Sequence, residues 1–370
     1  MDKERYIFEK FRSKLNGDDC AVIGERAYCK DLFVEGVHFR RGWLSLREIG
    51  AKAMLVNISD MIATNARAKY ALLGLALPRE ISTREIDELC AGVSETAREW
   101  SIRIIGGDTI GLDRIALSVS LIGKCKRPVF RSGARVGDLI AHTGELGGVG
   151  RDLAVLLRDE ISPASSQTQN RNDKISSLQG PNDEVRSSGD KISPARAEPQ
   201  SLDAGISVEN SVSQSGEDRK NSAAQSPACE NSAPQKPACE GSVFDLREDL
   251  RAKISKNSRF VRPVLRDKFF YKAAKLISAA MDISDGLAQD LPRLLEASGM
   301  GARWIARPSE AALQSGEEYE ILFSFAPKFL PKIYAIAAKT GVSINIIAEV
   351  CPRTPQSSME FRGSSHHFEP

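Results

Sequence analysis

Histidine occurs only four times in the 370 residues, and the seven cysteines (Cys20, Cys29, Cys90, Cys125, Cys229, Cys239 and Cys351) are odd in number and never spaced C-x-x-C. That scatter supplies neither a disulfide framework nor the clustered sulfur and nitrogen ligands of a zinc site. No apolar run approaches the ~18 residues of a membrane span. The stretch Met1 to Lys10 is charged throughout and lacks the apolar core of a secretory signal. The expectation is a cytoplasmic protein that does not enter a membrane. An excess of one charge is missing as well: 51 basic and 49 acidic residues leave a net +2, so no global positive field exists to hold nucleic acid. The chain has no G-x-x-x-x-G-K-[ST] loop and no H-R-D with D-F-G set, which excludes P-loop and protein-kinase machinery.

What is present is enough for two ordinary domains, since 41% of the residues are hydrophobic. Between Asp159 and Val243 there is no Phe, Trp or Tyr, and Ser, Gln, Asn, Asp, Pro and Gly dominate. Such a stretch cannot build a core. Within it, Asn221 to Glu230 (NSAAQSPACE) is nearly repeated by Asn231 to Glu240 (NSAPQKPACE), as an expanded insertion would be. We read 159–243 as a disordered, dispensable surface insertion.

The remaining blocks are mixed α and β. Ser45 with Glu48 and Ser82 with Glu85 have capping-box spacing, predicting helices near 46–66 and 83–99. Short apolar, partly β-branched runs predict strands at 70–77, 102–105, 115–122, 139–143, 281–283, 319–325 and 344–350. Helices are expected at 151–157, 269–277 and 287–297, with a glycine-rich turn at 144–150 whose backbone N–H groups suit a phosphate. The acidic motifs then fall at strand ends.

Several aspartates interrupt apolar or small-residue runs: Gly17-Asp18-Asp19-Cys20-Ala21-Val22, Val56-Asn57-Ile58-Ser59-Asp60-Met61-Ile62, Ile105-Gly106-Gly107-Asp108-Thr109 and Met281-Asp282-Ile283-Ser284-Asp285-Gly286. Carboxylates in such settings are at least partly buried, and a buried carboxylate needs hydrogen bonds, a cation or a metal. Few lysines or arginines lie beside them in sequence. Hard oxygen ligands without His or Cys favour Mg²⁺, which bridges carboxylates to nucleotide phosphates. A carboxylate-lined site holds a triphosphate only with metal ions between. Any one of these aspartates alone reads equally well as a cap or turn.

Taken in order, these motifs resemble the thiamine-monophosphate kinase family, within the wider group of aminoimidazole ribonucleotide synthetase-like, ATP-dependent enzymes. The resemblance also rests on Asp31-Leu32-Phe33-Val34-Glu35-Gly36-Val37-His38-Phe39, Lys52-Ala53, Arg131-Ser132-Gly133-Ala134 and Ser315-Gly316-Glu317-Glu318-Tyr319-Glu320. It implies an α/β (α+β) fold of two domains: 1–137, binding ATP and Mg²⁺ and pairing its sheet in a homodimer, and 138–370, interrupted by the insertion. It implies several Mg²⁺ ions on Asp19, Asp31, Asp60, Asp108, Asp282 and Asp285, with Asp31, Asp60, Asp108 and Asp285 as the catalytic set. ATP, the co-substrate, would meet Gly107, Asp108, Arg131 and Ser284. Thiamine monophosphate would meet His38 and Glu317, with Phe361 over its ring.

Bland alternatives stay open: Arg131 in an ordinary ion pair, His38 in a structural hydrogen bond. Two features depart from the family pattern. Cys29-Lys30 stand where hydroxyl residues help bind metal, so that Lys30 is expected to stand in for part of one ion's charge, and Glu318 replaces an Asp. The implied reaction is direct in-line transfer of the γ-phosphoryl group without a phosphoenzyme, because the acceptor phosphate is already an oxyanion and needs no strong base. Aminoimidazole ribonucleotide synthetase, selenophosphate synthetase and a nucleotide-binding regulatory protein are the competing readings; Cys20 lacks the glycine-rich setting that selenophosphate chemistry requires.

Overall fold

The computed structural model describes residues 3–40, 42–161, 248–255, 257–357 and 359. Phe361 and nearly all of the expected insertion lie outside these residues.

Both capping boxes form. Ser45 and Ser82 each accept the N–H of the glutamate three residues on, whose carboxylate reaches back to the serine N–H. They start α2 (Leu46–Ala63) and α3 (Thr83–Glu99); α1 (Lys3–Lys10) precedes them. α2 ends three residues short of expectation because Thr64 caps it and Asn65 turns left-handed at φ 61°. Fourteen of its 18 residues are buried, so it has no polar stripe and runs through the core rather than over it. α3 crosses it at two glycines. A Cβ on Gly92 would lie 2.0 Å from the Arg47 carbonyl oxygen, and one on Gly50 2.3 Å from that of Leu89, so backbone meets backbone only because neither residue carries a side chain.

The first sheet comprises β1 (Ala21–Ile23), β2 (Arg26–Val34), β3 (Arg67–Pro78), β4 (Arg103–Leu112) and β5 (Ala116–Lys124), in the order β1-β2-β5-β3-β4. Its pairs are antiparallel except β3 with β4. Alternation sends Cys29 and Phe33 of β2 and Leu117, Val119 and Leu121 of β5 inward, where they are buried. The second sheet, β6 (Leu139–Thr143), β7 (Ala279–Asp282), β8 (Met300–Trp304), β9 (Ile321–Phe325) and β10 (Ile344–Pro352), is antiparallel in the order β7-β9-β6-β10-β8.

Every residue of β9 is buried, because both faces of this sheet are covered. Phe323 meets Phe269 of α6 (Asp267–Ala273) with ring centroids 5.8 Å apart, and Ile333 of α9 (Leu330–Thr340) joins the same core as α2. On the opposite face Leu287, Leu291 and Leu294 of α7 (Leu287–Ser298) pack with Met281 and Leu322. Three shorter or peripheral helices, α4 (Gly148–Ile161), α5 (Glu248–Arg251) and α8 (Glu310–Leu313), complete the described fold.

This is the expected mixed α/β architecture with two sheets, but the acidic motifs are not all at strand ends. Asp282 closes β7 and Asp19 stands just ahead of β1. Asp60 instead lies on α2, Asp31 lies inside β2, and β4 runs straight through Gly106-Gly107-Asp108-Thr109.

Candidate active site

Lys52, Ser59 and Asp60 are seven and eight residues apart on α2, so they share a face. That face meets the end of β7. Asp19, Asp60 and Asp282 each place a carboxylate oxygen within 4.8 Å of the others, and the Ser59 hydroxyl donates to Asp282 Oδ2 at 2.5 Å. Asn57, one turn earlier, ties β2 to the helix: its Nδ2 donates to Ala53 O (3.0 Å), and its Oδ1 accepts the Asp31 N–H (3.0 Å). Asp31 is thereby held beside the trio on the inward face of the first sheet.

These carboxylates repel one another in a poorly solvated place. Burial pushes Asp60 well above the ordinary carboxylate value, and the charges of Asp31, Asp282 and Asp19 push it further. Burial does the same to Asp282, with Asp19 adding to the rise and the Ser59 hydroxyl opposing it. Asp19 is also raised by burial, against the pull of Arg131, whose Nε and Nη2 both donate to Asp19 Oδ1 (3.0 and 2.6 Å). Burial lowers Arg131, but Asp19 outweighs it and leaves the guanidinium above its usual value. The Arg131 N–H donates to Asp18 Oδ1 at 2.6 Å. Three converging hard oxygens with no nitrogen or sulfur among them suit a divalent ion of the magnesium type, which relieves the repulsion that burial magnifies.

Asp285 does not join the trio. Gly286, at φ 97°, lets the chain turn from β7 into α7 beneath the Leu313 carbonyl. Asp285 then meets Arg293, whose Nη1 donates to Asp285 Oδ2 and to Asp290 Oδ1 (3.1 Å), while Asp290 Oδ2 accepts the Asp285 N–H (3.1 Å). Asp290 is fully buried and is pushed up to about 7 by burial and then by Asp285. Sequence reasoning missed it, although it too interrupts an apolar run, Leu287-Ala288-Gln289-Asp290-Leu291. It also missed Arg293, eight residues from Asp285, while Arg131, expected at ATP or in an ordinary ion pair, reaches Asp19 from 112 residues away.

Asp108 stands apart. It is exposed, in register with Gly74 and through it Ser118, on the outward face that carries Leu32. Lys30 is on that face too and donates to Ser118 Oγ at 2.9 Å. The expectation that Lys30 replaces a metal-bound charge is therefore corrected, since β alternation sends it away from Asp31. Gly107 is exposed in β4 and needs its missing side chain, because a Cβ would fall 1.9 Å from Leu73 O. Ser284 O accepts the Glu317 N–H at 2.7 Å, which joins the expected ATP loop to the expected substrate loop. His38 Nδ1 accepts the Val34 N–H at 3.0 Å, placing its ring proton on Nε2.

The glycine-rich turn is not a phosphate cradle. Glu318 Oε1 accepts the N–H groups of Gly147 (2.6 Å) and Val149 (3.2 Å), and Ser315 Oγ accepts that of Gly150 (2.9 Å). The longer side chain at 318 fills the anion position at the start of α4. Arg259 neutralises it, with Nη2 2.5 Å from Glu318 Oε2.

Residues 17–125 match the AIR synthase related protein, N-terminal domain, and 245–356 match the AIR synthase related protein, C-terminal domain. The thiamine-monophosphate kinase of Rhodopirellula baltica is 37% identical over 169 residues, 42% of this chain and 54% of that protein. That of Bacillus subtilis is 34% identical over 161 residues, 41% of this chain and 49% of that protein. The chain thus spans about half the length of the curated relatives it matches. Among solved structures, the thiamine monophosphate kinase from Aquifex aeolicus superposes with a TM-score of 0.59 at 22% identity, over 94% of this chain and 91% of that one. AaThiL complexed with AMPPCP and TMP gives 0.62 at 22%, over 95% and 90%. The hydrogenase maturation protein HypE in complex with ATP gives 0.53 at 15%, over 95% and 87%. These likenesses establish the fold.

Proposed function

Because the chain belongs to the AIR synthase related family, we propose that it is an ATP-dependent phosphotransferase that converts thiamine monophosphate to thiamine diphosphate. The observation that carries this reading is the convergence of Asp19, Asp60 and Asp282, from three separate elements, within 4.8 Å. The curated relatives that bear the thiamine-monophosphate kinase name, and the neighbour whose complex contains AMPPCP and TMP, point to the same acceptor.

In this account Asp19, Asp60 and Asp282, with Asp31 beside them, hold Mg²⁺, which when bound supplies positive charge to the triphosphate and to charge developing on the transferred group. Arg131, now engaged with Asp19, offers a forked donor to a phosphate. Ser284 lines the same turn. Asp285 serves as a further ligand once its carboxylate is exchanged from Arg293. An acceptor phosphate oxygen attacks the γ-phosphorus as the bond to the ADP oxygen breaks, and the protein's task is to align the two. His38 and Glu317 orient the acceptor, with Phe361 as an added cover.

We assign residues 1–137 to ATP and metal binding and pairing, and 138–370 to the second domain. Leu32, Leu72, Ile110 and Leu112 are exposed on the outward face of the first sheet, an apolar surface of the kind that pairs with a second copy. Asp108 and Gly107 lie on the strand at the edge of this sheet, so their contacts to metal and ATP are tied to that homodimer. The reading places the protein in the cytoplasm, with ATP and magnesium. Among the described residues no helix is long and apolar enough to cross a membrane.

Incubation of the protein with ATP, Mg²⁺ and thiamine monophosphate tests the reading. Thiamine diphosphate and ADP in equal amounts are expected, with no phosphorylated protein on the productive path. Nucleotide binding without diphosphate product would contradict it.

A further inference from the structure

Lys52 is fully buried, an unusual place for a lysine. Its ammonium donates to Glu317 Oε2 at 2.6 Å and lies 4.1 Å from the centroid of the Phe260 ring and 5.7 Å from that of Phe33. The bond runs from α2 to the loop ahead of β9. An apolar residue would fill the space beside these rings without the cost of desolvating a charge, so stability is the weaker explanation for a lysine here. Glu317, by contrast, keeps about a fifth of its side chain exposed, at 22%.

The loop that carries Glu317 is held in an unfavourable shape. Glu317 has φ 55° and Tyr319 φ 49°, left-handed values that are unfavourable for a residue with a side chain. The shape is fixed from two sides. Glu317 N–H donates to Ser284 O (2.7 Å) and Tyr319 N–H to Ile283 O (2.9 Å), next to Asp282, while Lys52 holds the carboxylate. A strained backbone fixed at several points around a partly exposed charged group is the arrangement of a recognition site.

The same helix links the two groups. Lys52 and Asp60 are eight residues apart on α2, a rise of about 12 Å along its axis. An acceptor whose phosphate lies at the Asp19, Asp60 and Asp282 trio therefore runs along the Lys52 side of this helix to present a cationic or N–H-bearing end to Glu317. The geometry points to Lys52 as a positioning residue for the acceptor. It holds the Glu317 carboxylate in one orientation, with Oε2 taken by the ammonium and Oε1 left for that end of the acceptor. This inference rests on the thiamine monophosphate reading.

The test is steady-state kinetics on the full-length protein with Lys52→Met, Glu317→Gln and the double variant, varying thiamine monophosphate and ATP separately. Lys52→Met should raise KM for thiamine monophosphate by about ten- to a hundredfold, the range expected when a charged hydrogen-bonding partner is misplaced, with KM for ATP unchanged. The double variant should be no worse than Glu317→Gln alone, because Lys52 acts through Glu317. If Lys52→Met does not fold, Phe260→Leu keeps the charge and loosens its seat, and a smaller rise confined to the acceptor KM is expected. Equal loss for both substrates, additive single effects, or no effect of either variant would overturn the proposal while wild-type turnover upholds the thiamine reading. A wild-type protein that makes no diphosphate overturns both.

Discussion

The Ser59 hydroxyl reaches from α2 to Asp282 at the end of β7 and donates to its carboxylate at 2.5 Å, joining the helix of the first sheet to the second sheet at the acidic trio. The bond opposes the rise in the Asp282 pKa that burial causes. Ser59→Ala removes it without removing a proposed ligand. The half-saturating Mg²⁺ concentration should rise about tenfold, as for other groups that orient a metal ligand. Stability should fall by roughly 1–3 kcal/mol, the worth of a hydrogen bond to a charged group. Magnesium titration of turnover and urea unfolding check the two effects.

Stability should depend on pH in a direction that magnesium changes. Asp60, Asp282 and Asp290 are all raised above the ordinary 3.8, Asp290 to about 7. Between those values the folded protein binds protons that the unfolded chain has released. Stability from Asp290 is therefore fully present below about 3.8 and is lost as pH rises through about 7, and Asp60 and Asp282 act in the same direction. In chelator, Tm should be higher at pH 6 than at pH 8. With Mg²⁺, which binds the deprotonated carboxylates, the difference should shrink or reverse.

Leu32→Asp with Ile110→Asp should break the proposed pairing of first sheets, since both side chains are more than half exposed in the single chain and should cost little to its fold. Sedimentation should show the wild type as a dimer and the double variant as a monomer with reduced turnover. A variant that stays dimeric would place the interface elsewhere.

Glu320 is fully buried and carries both oxygens in charged bonds. Arg259 Nη1 and Arg266 Nη2 donate to Oε1 (2.7 and 2.5 Å), and Arg266 Nε and Thr143 Oγ1 donate to Oε2 (2.7 and 2.6 Å). Glu320→Gln leaves Arg266 without its carboxylate partner and Arg259 with Glu318 alone, and should destabilise the protein by about 3–5 kcal/mol, read as a fall in Tm without a selective change in either KM.

Much of the fold was legible because its signals are local. The serine–glutamate pairs marked α2 and α3, and apolar runs marked β5, β6 and β9. The β1–β2 hairpin was not read as strands. Arg26–Val34 mixes Lys30 and Asp31 into an alternating run, and only the structure shows that these two face opposite ways. α9 and β8 also went unread. At the site, acids in apolar surroundings pointed to Asp19, Asp60 and Asp282, which converge, but equally to Asp108, which does not. Apolar surroundings in sequence predicted burial for all four motifs and were wrong for Asp108, which is exposed, because both burial and convergence depend on sheet register and on which face a side chain takes. The glycine-rich turn misled for a related reason: its free amides are taken by Glu318, 171 residues away from Gly147.

The most direct test of the account is binding of Mg²⁺ with a non-hydrolysable ATP analogue, measured by titration calorimetry on the wild type, Asp60→Asn and Asp282→Asn, with Tm recorded for each in chelator. Removing one of three mutually repelling buried carboxylates should leave the metal-free Tm unchanged or higher, while magnesium-dependent nucleotide affinity falls by roughly a hundredfold or more, the scale of losing one charge-stabilising group. Nucleotide and magnesium binding that are undiminished in both folded variants would contradict the claim that these carboxylates form the metal site.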